Sequence, residues 1–270
     1  MKTIGFIGGG NMAQALLTGI LKAGLYHANH IWVSDVRSEQ IEVLKDLYGI
    51  HVTADNKELT QHADIVLLAV KPQVMAGVLG GIAGTLRDDV LVISIAAGIT
   101  TAAIRAKLGD VQIVRVMPNT PALVGAGASG LYNASASKEN LNAALDIFNS
   151  VGRAVVVENE SLMNAVTAVS GSGPAYFFLL MEEMIKAGVE LGLPEETAKT
   201  LVLQTAKGAA LLAESARQRG ETPAILRQKV TSPGGTTEAA LKVFQQEHIS
   251  ATVQKALAAA CNRGKELSAG

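Results

Sequence analysis

The chain has 270 residues, 49% of them hydrophobic but 4% aromatic, with a formal net charge of −1 and a single cysteine. That length allows one large or two small domains, and the composition demands an aliphatic, Ala/Gly-rich core with closely packed helices. The near-zero charge offers no electrostatic footprint for nucleic acid or an anionic membrane, the lone Cys261 excludes an intrachain disulfide, and no apolar run reaches transmembrane length. With no signal-peptide pattern at its start, the chain is expected to be cytoplasmic.

In chain order, a short apolar strand over 4–7 leads into Gly8-Gly9-Gly10, and Asn11-Met12-Ala13 opens a helix carrying Leu16, Leu17, Ile20 and Leu21 on one stripe, with Gly24 as its stop. This is G-x-G-x-x-A at a strand-to-helix turn, the dinucleotide fingerprint. Gly8 permits the tight turn, Gly10 leaves room for a pyrophosphate against the backbone, and Ala13 lets the helix lie close to the strand. The helix start offers unpaired N–H groups and a partial positive charge.

The spacing then predicts a strand over 31–34, a helix over 38–48 closed by Gly49, and a strand over 64–70, DIVLLAV. A helix over about 73–86 and strands over 90–95 and 111–116 follow. Continuous apolar strands alternating with helices indicate a doubly wound, Rossmann-type parallel sheet, an α/β fold. Ligands of such sheets sit beyond the carboxyl ends of the strands. Here those ends read GGGNMA, Ser34-Asp35, AVKP, SIAAG and MPNTP.

The pattern changes near 155–159 and is helical from Ser161 almost to the end, over 176–191, 195–216, 224–230, 237–246 and 249–267. The expected division is therefore 1–160, a dinucleotide-binding domain, and 161–270, an all-α domain. The 176–191 segment is apolar on two faces: Phe177, Leu180, Met181 and Met184 on one, Phe178, Ile185 and Val189 on the other. Such a helix is buried on both sides, either against a second subunit or at the centre of one.

Asp35 closes the second strand, where a carboxylate commonly binds the adenosine ribose hydroxyl of NAD; Arg37 could instead meet the 2′-phosphate of NADP, so the residues leave both open. Two Gly/Ser stretches stand at helix starts in the helical half. In V-S-G-S-G-P-A, residues 169–175, Pro174 suits a first helical position and the preceding amides could receive an anion. In S-P-G-G-T-T, residues 232–237, two glycines free the backbone to form an N–H concavity; Thr236 or Thr237 would otherwise serve as an N-cap. Together they suggest a site for a small carboxylate. There is no metal-ligand spacing and no nucleophile elbow. Lys71 is the one strand-end lysine, and none of His27, His30, His51, His62 and His248 lies in a glycine loop. An alcohol–ketone interconversion needs a protein acid/base, whereas a protonated C=N is already electrophilic, so the pattern points to an imine.

GFIGGGNMA, AVKP, SIAAG, MPNTPA, SGSGPAY and SPGGTT, in this order and over nearly the whole length, resemble the pyrroline-5-carboxylate reductases, the last two motifs being the specific ones. The resemblance implies reduction of 1-pyrroline-5-carboxylate to L-proline by NADPH or NADH. It also implies homodimers interlocked through a C-terminal all-α dimerisation domain, often assembled as decamers of five dimers. Neither nucleic acid nor membrane is an expected partner, and no metal site is expected. Carried over, Ile7, Gly8, Gly9, Gly10, Asn11 and Met12 hold the pyrophosphate. Asn56, Ala69, Val70, Lys71 and Pro72 flank the adenosine and the bridge toward the nicotinamide, and Ala96, Ala97 and Gly98 lie near the nicotinamide. Ser232, Gly234, Gly235 and Thr236 bind the substrate carboxylate, Thr237 meets the ring nitrogen as the polar catalytic group, and Met117 and Asn119 shape the pocket. Members that prefer NADPH often carry small hydroxyl residues where this chain has Asp35. The β-hydroxyacid dehydrogenases share the two-part build, but their catalytic lysine, four residues after a glycine, is replaced here by Phe177. A nucleotide-binding sensor with an inert second site is the alternative from another class.

Overall fold

The computed structural model describes residues 2–269. β1 (Ile4–Ile7) runs into α1 (Asn11–Lys22), and β2 (Ile31–Ser34) into α2 (Ser38–Tyr48). β3 (His51–Thr53), α3 (Asn56–His62), β4 (Ile65–Leu68), α4 (Pro72–Ile82), β5 (Leu91–Ser94), α5 (Thr101–Leu108) and β6 (Gln112–Met117) follow in alternation. After a 3₁₀ turn (Thr120–Val124) come β7 (Gly127–Asn133), α6 (Lys138–Asn149) and β8 (Gly152–Val157). The α2 boundaries follow directly from residue chemistry. The helix ends where Gly49 adopts φ +63°, and its amide bonds the Lys45 carbonyl, a left-handed glycine cap.

The strands form one sheet in the order β3-β2-β1-β4-β5-β6-β7-β8. All neighbours are parallel except β6 and β7, which are antiparallel. The sheet is the expected doubly wound, predominantly parallel one, and its single antiparallel pair has a physical reason: a parallel crossover takes a dozen or more residues, and 118–126 are too few, so the chain turns straight back. Among the described residues β3, α3, α5, β7, α6 and β8 are elements that the apolar pattern did not single out.

The core lies on both faces of the sheet. Ile4 and Phe6 face one side with Leu16, Leu17 and Ile20 of α1 and Ile147 and Phe148 of α6. Ile7, Val66, Leu68 and Val92 face the other with Leu59 of α3, Met75 and Leu79 of α4 and Ile104 of α5.

Beyond β8 a 3₁₀ turn (Glu160–Leu162) leads into α7 (Met163–Val166), one π-helical turn (Thr167–Gly171) and α8 (Gly173–Glu190). The expected anion-receiving loop at 169–175 is thus helical. Ser172 N–H bonds the Thr167 carbonyl at 2.8 Å, and the wide turn absorbs the Ser-Gly-Ser run. Then come α9 (Glu195–Arg217), α10 (Pro223–Lys229), α11 (Thr236–Gln246) and α12 (Ile249–Ala269).

Two compact units result, one comprising residues through Pro174 together with those from Ala258 onward, the other Ala175–Leu257. In the second, Phe177, Phe178, Leu179 and Leu180 of α8, Leu211 and Leu212 of α9 and Phe244 of α11 are all exposed. Gly173 is the one buried residue of α8, so α8 is not the centre of a single-subunit core. Patches of this kind mark interaction surfaces.

Replacing Phe148 by Ala, inside the larger cluster, is expected to cost about 3–5 kcal/mol. Urea unfolding followed by circular dichroism measures the loss.

Candidate active site

Strand register places the loops of the sheet unit side by side. Ile7 of β1 is level with Ser34 of β2 and Leu68 of β4, and Leu68 is level with Ser94 of β5. The chain therefore leaves four neighbouring strands on one edge, at the point where the order reverses between β1 and β4, the place where such sheets bind ligands. Ile7, Gly8, Gly9, Gly10, Asn11, Met12, Asp35, Asn56, Ala69, Val70, Lys71, Pro72, Ala96, Ala97 and Gly98 all lie on or beside these strand ends.

The glycine loop is held rigidly. Gly8 has φ +101°, and a Cβ there would lie 2.7 Å from the Ala69 carbonyl oxygen, so only glycine fits. Gly8 N–H donates to the Ser34 carbonyl at 2.8 Å, and Ala69 N–H to that of Ile7 at 2.8 Å. The Gly9 peptide is gripped from both sides. Its N–H donates to Asp35 Oδ2 at 2.9 Å, and its carbonyl accepts from Gln40 Nε2 at 2.8 Å and Gln14 Nε2 at 3.4 Å. Gly10 differs: it is the extended N-cap of α1, its side has no atom within 4 Å, and no side chain caps the helix. The first-turn amides have no acceptor within the helix, and no acidic residue stands in that turn. Open space in front of unpaired amides at a positive helix end fits a pyrophosphate, so the residues present fit a dinucleotide.

Asp35 is more occupied than a free ribose ligand. Besides Gly9, it accepts from Arg37 N at 3.0 Å and Nε at 3.1 Å on Oδ1, and from Nη2 at 3.3 Å on Oδ2. Its side chain is 9% exposed against 60% for Arg37. Burial works against the charge of Asp35, but the hydrogen bonds from Arg37, then that of Gly9, outweigh it and hold the carboxyl below its ordinary range. Beside it, buried Ser34 donates from Oγ to Asn56 Oδ1 at 2.6 Å, tying the β2 end to the start of α3.

At the end of β6, Asn119 accepts from Ala128 N at 2.8 Å and donates to the Ser170 carbonyl at 3.0 Å. Its amide thus braces β7 and the π turn. A Cβ on Gly171 would come within 2.6 Å of Met117 Cε, so the thioether packs on that turn.

Ser232, Gly234, Gly235, Thr236 and Thr237 belong to the second unit. Gly234 takes φ +71°, and Gly235 N–H closes a turn on the Ser232 carbonyl at 3.0 Å. The N-cap of α11 is Gly235, without a side-chain hydrogen bond. Neither Thr236 nor Thr237 is the cap, because the glycine already supplies the extended backbone a cap needs. Gly234 N–H donates to Glu238 Oε2 at 2.8 Å: this turn already holds a carboxylate, that of its own chain.

The sequence reading missed Gln14 and Gln40, which fix the Gly9 carbonyl, and a partly buried Arg115–Glu160–Thr101 cluster. Arg115 did carry a signal, a lone cation inside the apolar strand VQIVRVM, since arginine is almost never fully buried unpaired. Among the described residues no cluster of His, Cys, Asp and Glu could hold a metal ion, and no helix is long and apolar enough to cross a membrane.

The sheet, its switch point and its uncapped glycine loop define a Rossmann-type dinucleotide-binding protein with a helical second unit. Comparison with known proteins agrees with this class. Residues 3–98 match the family model described as "NADP oxidoreductase coenzyme F420-dependent", and residues 160–267 the one described as "Pyrroline-5-carboxylate reductase dimerisation". The pyrroline-5-carboxylate reductase of Pseudomonas aeruginosa is 48% identical over 98% of this chain and 96% of its own. That of Haemophilus influenzae is 46% identical over 98% and 97%. The structure of the Coxiella burnetii pyrroline-5-carboxylate reductase superposes with a TM-score of 0.91 at 43% identity, covering 99% of this chain and 98% of that one. The Plasmodium falciparum pyrroline carboxylate reductase, solved with NADP bound, gives 0.86 at 33% over the same shares. The chain belongs to the pyrroline-5-carboxylate reductase family. The likeness to a 3-hydroxyisobutyrate dehydrogenase, at 16% identity and a TM-score of 0.53, is one of fold alone.

Because folding lowers the pKa of Asp35, its ionised form adds stability above the unfolded value, and that contribution is lost as pH falls through the lower folded value. The melting temperature of wild type is therefore expected to exceed that of Asp35→Asn by a constant margin above about pH 5, the margin shrinking below about pH 4. Thermal melts of both proteins across this range measure it.

Proposed function

We propose that this chain reduces 1-pyrroline-5-carboxylate to L-proline at the expense of NADPH or NADH, the last step of proline synthesis, in the cytoplasm. The observation that carries the reading is the Ser232–Thr237 turn. Its glycine amide already receives a carboxylate, and Thr237 follows within the first turn of α11. The other unit of the same chain carries a pyrophosphate cradle.

When bound, the reduced nicotinamide supplies the hydride received by C5 of the pyrroline ring. The chain binds and orients. Ser232, Gly234, Gly235 and Thr236 hold the substrate carboxylate, chiefly through amides, after Glu238 gives way. Thr237 hydrogen-bonds the ring nitrogen, keeping its proton in place, and Met117 and Asn119 set the pocket wall. Ala96, Ala97 and Gly98 would hold the nicotinamide half of the cofactor, and Ile7 through Met12 its pyrophosphate, with Asn56 and 69–72 flanking the adenosine and bridge. Positioning supplies most of the rate, since a protonated imine asks little of an acid or base.

The exposed apolar faces of α8, α9 and α11 support a homodimer as the working unit. Light scattering on the purified protein separates that state from a decamer of five dimers. Turnover is tested by adding pyrroline-5-carboxylate to protein with NADPH and following both nicotinamide absorbance and proline formation. Cofactor binding without proline would leave a nucleotide sensor in its place.

Thr237→Ala is expected to lower kcat about tenfold or more while KM for NADPH stays within about twofold, as befits loss of a contact made at the reacting ring alone; steady-state kinetics with both substrates varied measures it. For the adenosine end, Asp35 is neutralised by Arg37 and spent on Gly9, so the exposed guanidinium is the group left to meet a 2′-phosphate. Arg37→Ala is expected to raise KM for NADPH about tenfold, near 1.4 kcal/mol, leaving that for NADH within about twofold. Parallel titrations with the two cofactors decide it.

A further inference from the structure

The cluster that the reaction does not use directly lies behind the β5–α5 turn. Arg115, 4% exposed, stands level with Ser94 across β5 and β6. Its Nη1 donates to Glu160 Oε1 at 2.9 Å. The same carboxylate accepts twice from Thr101, from the backbone N–H at 2.8 Å on Oε1 and from the hydroxyl at 2.7 Å on Oε2. Thr101 is the first residue of α5, so Glu160 also places a negative charge at the positive end of that helix. These partners belong to strand β6 and to the first residue of α5, which directly follows the turn that leaves β5.

That turn is 95–100, and it is held elsewhere as well. At its start Ala96 N–H reaches Ser94 Oγ at 3.4 Å. In its middle Gly98 takes φ +77°, and a Cβ there would lie 3.0 Å from the Leu267 carbonyl oxygen. Just past its far end, Thr101 donates to Glu160. Stability alone gives little reason to bury such a pair, since an ion pair taken out of water is often no better than apolar packing. Ile95 and Ile99 of the turn pack on the two apolar clusters, and what the pair adds is a polar tie at the residue that follows, Thr101.

We propose that Glu160 is a positioning residue for the reduction: through Thr101 it fixes the turn carrying Ala96, Ala97 and Gly98, and so sets the register between the nicotinamide ring and the pyrroline. The inference rests on the reading given under Proposed function. Misplacement of reacting groups by about 1 Å can cost up to about a hundredfold in rate, whereas the pyrophosphate is held by the separate glycine loop. Loss of the clamp therefore affects turnover more than cofactor binding.

Thr101→Val tests this with the Arg115–Glu160 pair intact, so folding is preserved. Glu160→Gln and the double variant accompany it. Expected are a fall in kcat of about tenfold for Thr101→Val and a change in the NADPH dissociation constant, by fluorescence titration, below about twofold. Hydrogen exchange on cofactor-free Thr101→Val is expected to be faster across 96–101 and unchanged across 8–13. The double variant is expected to lose no more than Glu160→Gln does, because both act along one path. The proposal falls if Thr101→Val keeps wild-type kcat and exchange while Glu160→Gln merely melts earlier, or if the two losses multiply. If the wild type itself makes no proline, it is the reading of function that fails, whatever the exchange shows.

Discussion

The glycine loop can exist because two strand ends meet with no room for a methyl group between them. The Gly8 α-carbon passes so close to the Ala69 carbonyl that a Cβ would sit 2.7 Å from its oxygen, and the amides of Gly8 and Ala69 reach across to Ser34 and Ile7. Parallel pairing of β1 with β2 and β4 imposes this contact, because it brings three chain exits to one level. Once Gly8 is turned, Gly9 falls into the reach of Asp35 and Gln40, and Gly10 is left facing open space at the start of α1. The three glycines thus serve different ends: a turn that tolerates positive φ, a peptide gripped at both poles, and an empty approach for a phosphate.

The two carboxylates held by both an arginine and a backbone amide, Asp35 and Glu160, are used in the same manner. Asp35 and Glu160 are each partly covered, each accepts from a backbone amide, and each pairs with one arginine. In both, burial acts to raise the pKa and hydrogen bonding overrides it. A carboxylate fixed by a backbone amide orders the main chain rather than a side chain. Asp35 holds the Gly9 amide of the loop after β1, and Glu160 the Thr101 amide at the start of α5.

Much of this was readable beforehand where a residue type leaves the backbone a single choice. Helix α2, with Gly49 in the left-handed region, was legible to the residue, as was β2. The elements that escaped are short or held by contacts remote in sequence. β3 is the three residues His51-Val52-Thr53, with no apolar run; its His51 and His62 of α3 both stack with Trp32, at 4.8 and 4.3 Å between ring centroids. The antiparallel turn into β7 follows from the brevity of 118–126, a constraint of connection that an apolar pattern does not display. At 169–175 the glycines suggested a loop, yet Asn119, beyond the end of β6, donates to the Ser170 carbonyl and the backbone winds into a π turn. Of the site, the glycine, proline and threonine motifs announced themselves. Glu160 did not, because a glutamate after a strand looks like any solvated charge until its partners 45 and 59 residues away are in place.

A domain the size of the second unit must bury a large share of its apolar surface to persist, yet α8 and α9 leave phenylalanine and leucine side chains in solvent along their length. Within the unit, Ala198, Val202 and Ala216 are the buried apolar residues among those described, which is too little to offset the conformational entropy of its ordered helices. The missing core must come from another chain, and residues 160–267 match a dimerisation model. Small residues then acquire a purpose. Ala206, Gly208, Ala209, Ala210 and Ala213 give α9 a run of small residues, a surface that permits close helix approach without aromatic side chains. Because α11 carries the double-glycine turn at its N-terminus, whatever steadies these helices also steadies the amides that receive a carboxylate.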